Sequence, residues 1–390
     1  MKRYAMSTPE GTRDLLFEEC LARREVERGL TRLFKSRGFH KVITPTMEFY
    51  DVFNRECAAC SPESMYSMID MQGRMLVLRA DSTFPIARIA ATRLRDARYP
   101  LRLYYNQNVF RRNPRYAGLA DETSQGGVEL IGAKGLKADS EILLLAIDAL
   151  SDCGAPDFRI ELGHAGFFSG LLADLAADTA TQEQICDLIE AKNYGALNDL
   201  LDALGNTQST QAIRSLPRLF GGEEVLEKAR ALTESAQACE ALEYLRTIYN
   251  LLKEAGLTEK VTLDLGLVHR SNYYTGILFR GFIEGSGVTA LSGGRYDSLL
   301  AEFGCDLPAI GFGVEVDALA QAMLARGDDV SPKPADVLVY AEPAAQLRAL
   351  GRIRTLNAEG LRCENSLAQS VQEAKEYAAA KGIPQIEIVE

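Results

Sequence analysis

Hydrophobic periodicity changes twice along this chain, and that change restricts the folds open to it. Val261, Leu263, Leu265 and Leu267 alternate with other residues at period two, the spacing of a strand with one buried face. Before them, from about 166 to 256, Leu, Ala, Glu and Lys dominate, and Leu242, Leu245, Tyr249 and Leu252 recur at helical spacing. Upstream of that stretch, strand-like runs occupy Phe39 to Thr44, Met75 to Arg79, Leu101 to Arg111, Gly127 to Ile131 and Arg159 to Leu162. Strands on both sides of so long a helical stretch describe an α+β domain whose sheet is interrupted by a helical insertion.

Helices accompany the strands. Residues 19–37 place Val26, Leu30, Leu33 and Phe34 on one face and stop at Gly38 in the C′ position. Asp139 is expected to N-cap an apolar helix that runs to about Leu150. Met65, Met68, Met71 and Met75 read as gap-filling core. Pro332 and Pro334 bracket a short linker, and residues 335–390 alternate strand and helix before the strand-like IEIVE. The expected organisation is a large domain over 1–330, with the insertion at about 166–256, and a small α/β domain over 335–390.

Composition narrows the class. With 47% hydrophobic and 25% charged residues the chain is ordinarily globular. It has no apolar leader, and no run approaches the roughly 18 apolar residues of a membrane span, so a cytoplasmic protein with no membrane association is expected. Eight scattered cysteines in such a chain argue for reduced thiols. Only Cys57 and Cys60 form a C-x-x-C pair, and His40, His164 and His269 do not add ligand spacing, so no metal or other cofactor is expected. A net charge of −11 disfavours non-specific nucleic-acid binding.

Eight short segments carry more than their individual motifs do, because of their order: PEGTRD (9–14), GFHKVITP (38–45), LRADST (78–83), LYYNQNVFRR (103–112), QGGVELIG (125–132), LVHRSNYYTG (267–276), LSGGRYD (291–297) and PAIGFGVEVDAL (308–319). From residue 9 to the proline linker the series resembles the class II histidyl-tRNA synthetases. That resemblance implies an antiparallel sheet flanked by helices, a self-dimer built around the segment ending at Pro45, and a pocket for histidine. By position it implies that Asp81 meets the ligand ammonium, where the synthetases use glutamate. Gln125 and Glu129 would contact the amino group and the imidazole, Tyr274 and Tyr296 would form an aromatic wall, and Arg111 would lie near the carboxylate. The chemistry agrees, since a zwitterion with an imidazole needs carboxylates for its ammonium, a cation for its carboxylate and an acceptor for a ring N–H. Glu129, among Gly127, Val128 and Leu130, is an acid in an apolar setting.

The departures concern nucleotide chemistry. His269 stands where the synthetases carry an arginine that stabilises charge on the reacting groups, and histidine is mostly neutral at pH 7. Asn113 replaces a glutamate, Asp121 faces where a cation should meet ATP phosphates, and Asp317 and Ala318 stand where Glu-Arg is expected. Losing one such donor typically costs on the order of 10²–10³ in rate. This combination resembles the regulatory subunits of short-form ATP phosphoribosyltransferases. The resemblance implies a chain with no catalytic residues of its own, joined to a separate short-form catalytic chain, with histidine as allosteric ligand. The tail over 335–390 would be a truncated anticodon-binding domain, so no tRNA is expected as partner. A working histidyl-tRNA synthetase, another amino-acid-activating enzyme, or a synthetase-like regulator of a different target remain the alternatives.

Overall fold

The computed structural model describes residues 4–55, 62–113, 118–153, 155–175, 177–268 and 274–390. They form two compact units, Met1–Asp328 and Asp329–Glu390.

The first unit opens with α1 (Phe17–Ser36), which buries Ala22, Val26, Leu30 and Phe34, a stripe at i, i+4 spacing. Leu33, expected on that face, is only partly buried. Gly38 ends the helix at φ 78°, a value glycine adopts without a Cβ penalty, and Phe39 N–H closes the turn onto Phe34 O at 3.1 Å. The strand expected over Phe39 to Thr44 shrinks to β1 (His40–Lys41). The cause is Arg79, whose guanidinium takes the carbonyls of Thr44 and Pro45 at 2.9 and 2.8 Å and so competes with a ladder there.

β2 (Met47–Phe49), β3 (Ser67–Ile69) and β4 (Met75–Leu78) make a small antiparallel sheet in the order β2-β4-β3. Of the methionines read as core, only Met65 is buried; Met68, Met71 and Met75 are 37, 104 and 48% exposed. They lie on the β3–β4 hairpin, Met68 and Met75 on opposite faces and Met71 in its turn, at the edge of the small sheet rather than in its core.

α2 (Thr83–Ala91), β5 (Leu101–Phe110), β6 (Glu122–Ile131), α3 (Leu136–Asp152) and β7 (Phe158–His164) follow. The insertion comprises α4 (Ala165–Ala173), α5 (Thr179–Glu190), α6 (Tyr194–Ala203), α7 (Gln208–Ser215), the unexpected strand β8 (Phe220–Gly221), α8 (Glu224–Arg230) and α9 (Ala236–Glu254). The chain then completes the sheet with β9 (Val261–Asp264), β10 (Ile277–Ile283), β11 (Leu291–Arg295) and β12 (Ala309–Glu315), before α10 (Val316–Arg326). The nine strands are ordered β1-β5-β6-β12-β11-β10-β7-β9-β8. All neighbours are antiparallel except β1 with β5 and β7 with β9, so the sheet is mixed and the architecture α+β. Asp139 does not cap α3. The helix starts one turn earlier, after Gly135 at φ 79°, and Asp139 is fully buried, receiving Arg295 Nε at 2.8 Å.

The second unit is a parallel sheet, β14-β13-β15, built from β13 (Val337–Ala341), α11 (Gln346–Ala358), β14 (Cys363–Asn365), α12 (Val371–Lys381) and β15 (Gln385–Val389). Leu338 and Tyr340 pack with Ala374 and Ala378 on one face, Val337 and Val339 with Ala349 and Leu356 on the other. That is the two-sided cover a parallel sheet requires. Among the described residues no helix is long and apolar enough to cross a membrane.

Candidate functional site

β6 turns Gln125, Gly127 and Glu129 to one face of the sheet, opposite Glu315, Gly313 and Gly311 of β12. The glycines are a spatial requirement. A Cβ at Gly311 would lie 1.9 Å from Glu129 Oε2, and one at Gly127 would lie 2.4 Å from the Tyr105 hydroxyl. Glu129 therefore stretches across the backbone of its neighbour strand. Its carboxyl, fully buried, accepts from Thr83 Oγ1 at 2.7 Å and from the Tyr296 hydroxyl. Burial dominates over those hydrogen bonds and pushes its pKa up to about 8, with the charge of Asp81 adding to the rise.

The other expected residues gather around it. Gln125 is buried and its Oε1 accepts from Tyr105 at 3.3 Å. Asp81 accepts from the backbone N–H of Thr83 at 2.7 Å, capping α2, and its second oxygen lies 3.6 Å from Arg111. Arg111 is oriented by donating Nε–H to Ala80 O at 2.8 Å. Tyr274 packs over Gly294, where a Cβ would come within 2.6 Å of its ring. Burial first, then the charges of Asp81 and Glu129, raise the pKa of Tyr274. A cation, two carboxyl groups, an amide and two phenols thus share one neighbourhood, a donor set able to hold a zwitterion with a ring N–H. Thr83, Tyr105 and Glu315 were not singled out by sequence. Thr83 and Tyr105 lie inside the segments LRADST and LYYNQNVFRR, and Glu315, partly buried and with its pKa raised chiefly by desolvation, pairs in register with Gln125.

Beside this neighbourhood a cleft of about 790 Å³ is lined by Arg111, Asn113, Asp121, Glu315, Asp317 and Ala318 among others. Its polar groups are engaged with one another. Asp121 Oδ1 accepts from the Asn113 backbone N–H at 3.0 Å, its other oxygen accepts from the Tyr66 hydroxyl, and its own N–H donates to Gly11 O at 2.7 Å. Burial works to raise the Asp121 pKa, but the bonds from Tyr66 and Asn113 and the charge of Arg112 outweigh it and hold the carboxyl below its usual range. Asp317 Oδ2 accepts from Ser124 N–H at 2.8 Å. Ala318 is buried on α10. His269, Cys57 and Cys60 lie outside the described residues. Among the described residues no group of three His, Cys, Asp or Glu could hold a metal ion.

The histidyl-tRNA synthetase family model matches residues 11–319. The chain is 42% identical to an ATP phosphoribosyltransferase regulatory subunit from Clostridium kluyveri, with 100% of each covered. It belongs to the family of ATP phosphoribosyltransferase regulatory subunits. The corresponding subunit of Clostridium acetobutylicum is 41% identical over 99% of this chain and 95% of its own. Among solved structures, an ATP phosphoribosyltransferase regulatory subunit/histidyl-tRNA synthetase from Bacillus halodurans is 30% identical, covers 99% of both chains and superposes with a TM-score of 0.86. A histidyl-tRNA synthetase from Nostoc sp. PCC 7120 shares the fold, with a TM-score of 0.76 at 22% identity over 97% of this chain and 90% of its own.

Proposed function

We propose that this chain is the histidine-sensing, non-catalytic subunit of an ATP phosphoribosyltransferase, working with a short-form catalytic chain in the first step of histidine biosynthesis. The observation that carries the reading is Glu129, a buried carboxyl held by Thr83 and Tyr296 and placed to accept a ring N–H. Asp81 would take the ligand ammonium and Arg111 the carboxylate, each exchanging part of its contact with the other for the ligand. Gln125, Tyr274 and Tyr296 complete the contacts.

The adjacent cleft supports the non-catalytic part of the reading. Asp121, Glu315 and Asp317 line it beside Arg13 and Arg111, so the phosphates of a nucleotide triphosphate would meet three carboxylates against two cations. Adenylation of histidine, and with it charging of tRNA, would be negligible.

Self-association has its own support. In register, Met47 with Leu78 and Phe49 with Leu76 and Met68 form one face of the small sheet, and Met47, Phe49 and Met68 are exposed. We place the contact between two copies there, next to exposed Ile43.

The test is the complex. With an intact catalytic chain, Glu129→Ala should preserve phosphoribosyl-ATP formation and abolish its inhibition by histidine. Identical inhibition curves for the two assemblies would overturn the sensing role. Failure of the chain to capture any phosphoribosyltransferase from its native cell would overturn the partner.

A further inference from the structure

The strand pairings put Glu129 and Glu161 on the same face of the large sheet, four strands apart. Around Glu161, β7, β9, β10 and the insertion enclose a separate cavity of about 390 Å³, within the range of small-molecule sites. Its charges come from neighbouring strands. Arg280 stands directly opposite Glu161, Glu161 opposite Thr262, and Asp264 lies two residues further along β9 on the same face. Lys192, between α5 and α6, adds a second cation, held at a positive φ of 53°.

Opposite charges directly across a ladder ordinarily close on each other. Here they do not: among the described residues the side chains of Glu161, Arg280 and Lys192 make no hydrogen bond or ion pair. Asp264 receives Gly266 N–H at 2.9 Å on one oxygen. Burial raises the pKa of both Glu161 and Asp264, and repulsion by the Asp264 charge adds to the rise at Glu161, against the opposing charges of Arg280 and Lys192. A cation placed near the two carboxylates would relieve that repulsion, and an anion near Arg280 would give it the partner it lacks. The rest of the wall carries Glu190 and Thr262 beside apolar and aromatic groups, among them Phe220 and Phe282.

We propose that this cavity is a second ligand site, which binds a free α-amino acid with an aromatic or apolar side chain. The α-ammonium lies between Glu161 and Asp264, the α-carboxylate on Arg280 and Lys192, and the side chain against Phe220 and Phe282. The site shares none of these residues with the Glu129 pocket, so it stands or falls independently of histidine sensing there.

The experiment uses the full chain with Glu129→Ala, which silences the first pocket. The twenty amino acids and, separately, inorganic phosphate are titrated by calorimetry, with thermal shift as a second readout. At least one aromatic or large apolar amino acid should bind this variant one to one. Its affinity should fall about tenfold or more on adding Arg280→Gln, and also on adding Phe220→Ala, a largely exposed position whose truncation leaves the fold intact. No binding by any amino acid overturns the proposal. So does binding undiminished by both second substitutions, or phosphate binding as tightly as the best amino acid. A failure of the first-site reading would appear elsewhere, as equal histidine inhibition with and without Glu129→Ala in the assembled complex.

Discussion

Tyr244 on α9 donates to Asp139 Oδ2 at 2.6 Å while Asp139 Oδ1 receives Arg295, so one buried carboxylate ties the helical insertion to the strand that leads into Tyr296. Burial and this bond raise the Tyr244 pKa, keeping the phenol a donor. Tyr244→Phe should cost about 1.5–3 kcal/mol, the range for a hydrogen bond to a charged group. Urea unfolding measures it, and an unchanged midpoint would remove the tie.

Glu129 makes stability depend on pH. Its pKa is near 4.5 when unfolded and about 8 when folded, so the folded state keeps a proton that the unfolded state releases between those values. Its contribution is fully present below pH 4.5 and is lost as pH rises through 8, at up to about 1.4 kcal/mol per unit. Glu129→Gln should flatten the stability profile between pH 5 and 8. Parallel profiles for the two proteins would contradict the buried acid.

Histidine binding should carry the same signature with opposite sign. A neutral imidazole donating its N–H needs the Glu129 carboxylate, so a proton leaves on binding below pH 8, and affinity gains up to about tenfold per pH unit there. Calorimetry in two buffers of different ionisation enthalpy counts that proton; a count of zero at pH 7 would refute this mode of recognition.

Gly311→Ala introduces a methyl 1.9 Å from Glu129 Oε2 and 2.4 Å from Val128 O, and the backbone carbonyl cannot swing away. Overpacking of this kind costs about 1–3 kcal/mol. The variant should melt lower and lose histidine affinity together. Wild-type affinity would mean that Glu129 does not face the ligand.

Restoring one cation should not restore an enzyme. Asp121→Arg gives up the bonds from Tyr66 and Asn113 and meets Gly11, whose Cβ position lies 2.4 Å from Asp121 Cγ. It should lower the melting temperature and leave histidine-dependent pyrophosphate exchange into ATP undetectable. Exchange near a synthetase's rate would sink the account of the cleft.

Many of the strands were legible because their signal is local: β4 of the small sheet and β5, β7 and β9 of the large one lie where alternating or β-rich runs place them. What escaped depends on partners distant in sequence. Asp139 has the composition of an N-cap, yet it is claimed by Arg295, 156 positions away. β1 was shortened by Arg79, and Met68, Met71 and Met75 have the hydrophobicity of a core but stay exposed among the described residues. At the site, Glu129 was recognisable as an acid among apolar neighbours, but Thr83, its donor from another segment, carries no mark in a single sequence.

Thr83 is the first residue of α2, and five positions later Arg88 on the same helix grips buried Glu48 of β2 at 2.6 Å. No loop intervenes. A ligand that displaces the Glu129–Thr83 contact therefore acts on one end of a rigid rod whose other end is bolted to the back of the exposed Met47 and Phe49 face. If two copies meet on that face, occupancy and dilution become interchangeable variables: histidine titrations at low and high protein concentration should not superimpose, and the chain would report amino-acid supply through its own state of assembly.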